Sequence, residues 1–453
     1  MIKTAKSDKI LKSPIRLGIL FSIFTIVLYQ FGVFQFYYIN SFLLYLFLFL
    51  THICMYFGFC LGLKVKVEYT PKLSKAESEK IFKKFFLMIT VITLLFFIPK
   101  LLIYGRATDL NIIGVFQRAV QSFTDAHAAY SYKEEITTIT GIWKIINLIL
   151  VVLEFLMWAF IPLTVLFWKK VSRFVKAFFI IYAGSIILRY LSTGTNFGIF
   201  YLLLSVISSI IIKNIMFKSQ KNKCRKKGKN IKNCLILILA IMIFLNIFNM
   251  IMKSRIGTGY SNFFSSYAIP ITINTNSIFW KLTPDIFRPL ICSLTAYIGQ
   301  GYQGLAILLK LDFSSTYGFG YSRFLMDNIN EIFNINLWER TYLYKGYVQF
   351  LWDYNNSWQT AYAWFANDIS IWGVPIVIFV LFFIWGIAWK DFVVNGNIFA
   401  FLQFILYISF IAFISANNQV FSTSNTLIGF WVYLFLWIRT HRKYDWSILY
   451  DSF

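Results

Sequence analysis

Apolar residues in this chain fall in long unbroken runs separated by short polar stretches, unlike the one-faced or alternating patterns of a soluble fold. Most runs are about 17 to 25 residues long, enough for a helix to cross the hydrocarbon core of a bilayer. About ten such helices are expected, over 17–35, 41–63, 85–103, 143–168, 177–193, 197–216, 234–252, 371–389, 398–415 and 420–438. Two stretches break the rhythm. The first, 104–142, is polar, but 112–127 within it carries Ile113, Phe116, Val120 and Phe123 on one helical stripe, the pattern of a helix lying along a bilayer surface. The second, 253–370, is rich in aromatics, Gly, Asn and Ser. Long segments of this kind are where membrane proteins meet specific ligands. Inside it, Pro289 to Leu311 is nearly apolar enough to be a span. Its glycines are costly in a helix interior, and a span there would reverse the orientation of everything that follows. It is expected to be re-entrant or surface-lying, packed on the bundle.

Composition agrees: 58% of residues are apolar and 14% charged, the balance of a polytopic membrane protein. The net charge of +24 suggests nucleic acid only until the charges are placed. Segments 1–16, 64–84, 169–176, 213–233, 390–397 and 439–453 hold 29 of the 43 Lys and Arg but 7 of the 19 Asp and Glu, so they carry +22 of the excess. That asymmetry is the positive-inside signature. It puts both termini in the cytoplasm, puts 104–142 and 253–370 outside, and makes the Lys218 to Lys232 run an anchor near anionic lipid. Nucleic acid is not an expected partner. The basic start followed by an apolar run is expected to be an uncleaved first helix. Five scattered cysteines suggest neither a disulfide framework nor a metal site. The chain therefore divides into 1–252 with seven spans, the outer segment 253–370, and 371–453 with three spans and a cytoplasmic tail.

Candidate chemistry lies in a few places. Glu154 and Arg189 fall within spans, where a charge is normally paired or faces a cavity; a link between them is open, although their expected depths differ. Arg106, Arg118, Arg255, Arg288, Arg323 and Arg340 are on the outer side, and guanidinium groups match phosphate oxygens in bidentate fashion. Arg255 directly follows a span, at the headgroup plane. The outer carboxylates include Asp285, Asp312, Asp327, Glu331, Glu339, Asp353 and Asp368. Any of them could serve as a base in a suitable environment; Asp368, next to a span, ranks first, with Asp353. His127 is the one outer histidine. Aromatics crowd 338–372, some for the interfacial belt and some able to stack on sugars. No metal pair, P-loop or nucleophile elbow is present.

These features together resemble the Wzy-type oligosaccharide repeat-unit polymerases of bacterial O-antigen and capsule assembly. The likeness rests on many spans with one long outer loop in the second half, and on AYIGQGYQGLAILL at 296–309, STYGFGYSRFLM at 315–326 and NSWQTAYAWFANDISIWGVP at 356–375. The STGTN run beside the fifth span fits as well. The resemblance implies an all-α, GT-C-like protein of the bacterial cytoplasmic membrane. It would transfer a growing glycan from undecaprenyl pyrophosphate to the sugar hydroxyl of a new lipid-linked unit. It implies no metal or other cofactor, and a flippase and a chain-length regulator as partners besides membrane lipids. Asp368 and Asp353 are then candidate bases. Arg255, Arg288, Arg189, Arg323 and Arg340 are candidate pyrophosphate ligands, and Tyr302, Trp358, Tyr362 and Trp364 candidate sugar contacts. Where some relatives carry His or Asn, this chain has Gln359 and Thr360. An O-antigen ligase and a lipid-linked oligosaccharide flippase or other transporter are the alternatives.

Overall fold

The computed structural model describes residues 4–105, 111–125, 128, 141–220, 242–243, 245–252, 254, 271–355, 357 and 359–446. It is built almost wholly of helices: α1 (Thr4–Phe31), α2 (Ser41–Lys64), α3 (Lys75–Tyr104), α4 (Ile112–Thr124), α5 (Ile142–Leu166), α6 (Arg173–Ser192), α7 (Phe197–Gln220), α8 (Ile278–Leu282), α9 (Arg288–Leu308), α10 (Arg323–Phe333), α11 (Tyr342–Phe350), α12 (Ala361–Ile369), α13 (Val374–Asn395), α14 (Ile398–Phe413), α15 (Gln419–Ser422) and α16 (Ser424–Thr440). Among the described residues, seven helices are long and apolar enough to cross a membrane: α1, α2, α3, α5, α6, α7 and the Ile371–Asn395 stretch containing α13. Three of the ten expected spans are not in that set. α14 is apolar but has 16 residues, and α16 has 17. The span expected at 234–252 lies partly outside the described residues, with 242–243 and 245–252 helical.

The burial pattern suits a bilayer. In α1, Ser22 and Thr25 are fully buried, while Leu17, Leu20 and Phe31 are each more than 60% exposed. Polar groups inside and apolar groups outside invert the pattern of a water-soluble helix.

The chain forms two compact units, Met1–Glu79 with Ser261–Leu449, and Lys80–Tyr260 with Tyr450–Phe453. In the first, α2 and α13 pack along their length because glycines let the backbones touch. A Cβ on Gly62 would lie 2.3 Å from the Phe383 carbonyl oxygen, and one on Gly386 would lie 2.4 Å from that of Phe59. Gly58 and Gly62 form a small-residue pair one turn apart, and Gly58 faces the Phe379 carbonyl at 2.4 Å on the same measure.

From residue 271 on, the long 253–370 segment belongs to this unit. A two-residue antiparallel pair, Phe34–Gln35 with Thr272–Ile273, ties it to the end of α1. Pro289 to Leu311, expected as a packed non-spanning segment, contains α9, which lies against α1 and is buried from Gly299 through Leu308. Its glycines explain the fit: a Cβ on Gly301 would meet the Ser415 carbonyl oxygen at 2.0 Å, and one on Gly304 the Gln359 amide at 2.3 Å.

In the second unit α4 packs on α6, and α7 on α5 and α6. The side chain of Asn111 caps α4 by accepting from the Gly114 N–H at 2.6 Å. Its expected apolar stripe is there, and Ile113, Phe116 and Val120 point outward. The smaller face, Val115, Ala119 and Ser122, is the buried one.

Candidate functional site

The most unusual chemistry in the second unit is a set of ionisable side chains brought together from three long apolar helices. Lys100 is one turn from the end of α3, Glu154 lies mid-way along α5, and Arg189 is in the last turn of α6. The Lys100 Nζ lies 2.6 Å from Glu154 Oε1, and Arg189 Nη1 lies 3.8 Å from the same oxygen. The Lys100 and Glu154 side chains are each 8% exposed and that of Arg189 19%. Among the described residues two cations meet this one carboxylate, so the three groups sum to +1 when fully ionised. A surplus of that kind in a low-dielectric bundle attracts an anion strongly.

Aromatic rings and the chain after α6 hold Arg189 in place. Its guanidinium lies 4.9 Å from the Tyr104 ring centre and 4.6 Å from that of Tyr190, and Nη2 donates to the Tyr190 hydroxyl at 3.2 Å. Tyr190 lies across the first turn of α7 because residue 198 is glycine: a Cβ there would fall 1.7 Å from the ring. The STGTN run before it turns the chain with Gly194 at φ +59°, and Thr193 and Thr195 hydroxyls meet at 3.0 Å. The Ser192 hydroxyl donates to the Gly105 carbonyl at 3.2 Å, joining the ends of α6 and α3. The motif therefore builds the support for Arg189. Sequence reasoning left Glu154 and Arg189 at different depths. Lys100 closes the gap; the signal was a lysine within an apolar run, straight after Pro99.

The remaining expected residues are spread over separate local structures in the first unit. Asp368 sits at the centre of the 316–321 loop. Its Oδ1 accepts from Thr316 Oγ1 at 2.5 Å, Gly318 N–H at 2.9 Å and Gly320 N–H at 3.0 Å, and its Oδ2 from Tyr321 N–H at 2.8 Å. Three of the donors meet Oδ1 and one meets Oδ2. The geometry gives Asp368 a part in folding the STYGFGYS loop. Outside the same loop, Arg340 Nε donates to the Ser315 carbonyl at 2.7 Å and its guanidinium lies 4.9 Å from the Tyr317 ring centre. Tyr317 and Gly318 both have left-handed backbones, φ +59° and +86°. Asp353 turns its own chain, accepting from the Asn355 N–H at 2.9 Å.

Arg288 opens α9 paired to Asp285 at 2.6 Å and stacked on Trp280. Arg323 is exposed, donating to Asn355 Oδ1 at 2.9 Å. Arg255 and Trp358 lie outside the described residues. Tyr302 and Tyr362, expected as sugar contacts, are fully buried. The Tyr302 hydroxyl meets Thr25 Oγ1 at 2.8 Å, and Tyr362 points its hydroxyl at Met55 Sδ. A ring with no exposed face cannot stack on a sugar, so both are core residues that join α9 and α12 to α1 and α2. Trp364 is 3% exposed and packs edge-on against Trp338. The described residues contain no group of three His, Cys, Asp or Glu that could hold a metal.

Compared with known proteins, the chain matches no family model, no curated protein and no solved structure.

Proposed function

We propose that this protein is a glycosyltransferase of the bacterial cytoplasmic membrane that polymerises undecaprenyl-pyrophosphate-linked oligosaccharide units into O-antigen or capsule. In this reading it has ten spans, both termini are cytoplasmic, and the 253–370 segment lies outside. The observation that carries the reading is the buried Lys100–Glu154–Arg189 cluster with its surplus positive charge. Arg189 lies at the end of α6 that the charge pattern puts outermost, at the depth of lipid phosphates. In the reaction, the acceptor hydroxyl oxygen attacks the anomeric carbon of the growing chain. The bond from that carbon to the pyrophosphate oxygen breaks, and the proton passes to a carboxylate or to the departing phosphate. Arginine stabilises the charge that develops on the leaving group.

Deleting the gene in its host and running the surface polysaccharide on a gel tests the reading. Single repeat units at the surface and no long chains are expected, and Arg189→Ala should fail to restore length. Unchanged chain length refutes the proposal. The ion pair buried in spans also favours a second reading, a flippase or other transporter. That reading expects single lipid-linked units to accumulate on the cytoplasmic side.

A further inference from the structure

A second constellation lies on the first unit, between α10 and the turn after α11. Its carboxylate is Asp327, whose Oδ1 accepts from the Trp338 indole N–H at 3.2 Å and whose Oδ2 lies 3.7 Å from Arg323 Nε. Trp338 stacks on Tyr354 with centroids 5.0 Å apart and planes at 17°. Tyr354 in turn meets Tyr347 almost at a right angle, 87° at 6.4 Å, so the rings form a corner. Asn355 closes the rim through its bond from Arg323. The Asp327 side chain is 53% exposed, that of Arg323 44%, and Tyr347 42%.

Three properties select a ligand. Asp327 and Arg323 balance in charge, which disfavours a phosphate. Asp327 accepts one hydrogen bond and makes one long ion contact, so lone pairs remain for hydroxyl donors, in contrast to Asp368 with four donors. The aromatic corner offers apolar ring surface, which suits the C–H face of a pyranose. The chain is also strained there: Leu351, 51% exposed, holds φ +56° to turn residues 352–355 back toward Trp338. Positive φ in a bulky residue persists where the surroundings over-determine it, often at ligand sites. Partial desolvation of this half-exposed carboxyl raises it above the usual carboxylate range, against the lowering by Arg323 and the Trp338 indole.

We infer that Asp327, Asn355, Tyr347 and the Trp338–Tyr354 stack form a subsite for a neutral sugar ring, with Asp327 accepting from its hydroxyls and Tyr347 packing on its C–H face. The inference deepens the polymerase reading and rests on its glycan substrate, but its test needs no polymerisation. The full chain in nanodiscs is titrated with the oligosaccharide released by mild acid from the host's lipid-linked glycans, following tryptophan fluorescence and calorimetry. Saturable binding is expected. Asp327→Asn and Tyr347→Ala should each weaken it about tenfold, whereas Tyr347→Phe, which keeps the ring, should bind as the unaltered protein does. Size exclusion and a thermal scan establish that each variant is folded, and Tyr347→Leu replaces Tyr347→Ala if the latter fails. Absence of saturable binding by the unaltered protein, or unchanged binding by folded Asp327→Asn and Tyr347 variants, overturns the subsite. Normal binding combined with unchanged chain length in the deletion strain overturns the polymerase reading and leaves the subsite standing.

Discussion

Glu154→Gln is the most informative single change, because among the described residues it removes the carboxylate that two buried cations share. At an effective dielectric of about 20, the Lys100–Glu154 contact at 2.6 Å corresponds to roughly 6 kcal/mol of gross attraction. The Arg189–Glu154 contact at 3.8 Å corresponds to roughly 4 kcal/mol on the same basis. Desolvation of the three groups offsets most of this, so the net loss on removing one member is expected to be about 3–5 kcal/mol. After the change Lys100 and Arg189 are like charges with no shared counter-ion, and the destabilisation falls at the upper end of that range. Lys100→Met leaves Glu154 with Arg189 and should cost only about 1–3 kcal/mol. In the double variant the penalty for the unpaired lysine disappears, so its total should fall roughly 2–3 kcal/mol short of the sum of the single changes.

The assay is denaturant unfolding of purified protein in mixed micelles, with all four species measured side by side. If the two single effects add to within about 0.5 kcal/mol, the three side chains do not form one cluster and the reasoning fails. The functional arm uses a short-chain polyprenyl pyrophosphate. Lys100→Met makes the cluster formally neutral, so its affinity for that probe should drop at least tenfold. It should also become less sensitive to salt, because the charge that attracts the anion has gone.

Gly62→Leu should abolish stable folding, since even its Cβ would lie 2.3 Å from the backbone oxygen of Phe383; recovery of monodisperse protein from membranes reads the outcome. Asp368→Ala should speed hydrogen exchange at the Gly318, Gly320 and Tyr321 amides, while Asp368→Asn, which keeps one acceptor, should retain most of any chain elongation. An inactive but folded Asp368→Asn protein would favour the carboxylate as a base. Asp327 titrates above its unfolded value because of partial desolvation, so its linked contribution to stability is present in acid and lost as pH rises through the folded value. Sugar binding through the charged carboxylate runs the other way and weakens as pH falls through that value; Asp327→Asn should flatten both trends.

What sequence could show here depended on the distance over which each signal acts. Helices were legible because length and hydrophobicity are local. The helix beginning at Ile112 was found where Asn111 caps it, with Ile113, Phe116 and Val120 on one exposed face. That the Gly-rich run would be a packed segment was legible from its composition. Its purpose was not, since the close approach of Gly301 to Ser415 is a contact between residues more than a hundred positions apart. The same limit hid the α2–α13 interface: Gly58 and Gly62 are visible in the text, but their partner is a stretch of backbone at 379–386. Tyr302 and Tyr362 were misplaced because an aromatic in a polar segment looks alike whether it meets water or another helix.

Arginine and aspartate raise a related point. Counting charged residues in the long segment makes every one a candidate, and the structure separates them by what each is already doing. Asp368 has four donors, Arg340 holds a carbonyl, and Arg288 is paired and stacked. Such residues are committed to shaping the loops in which they sit. Glu154, Lys100 and Arg189 differ because, among the described residues, two cations meet one carboxylate inside the bundle. Asp327 differs in another way, since its charge is balanced but its hydrogen-bonding capacity is not used up. The first imbalance suits an anion and the second a neutral polyhydroxylated ring.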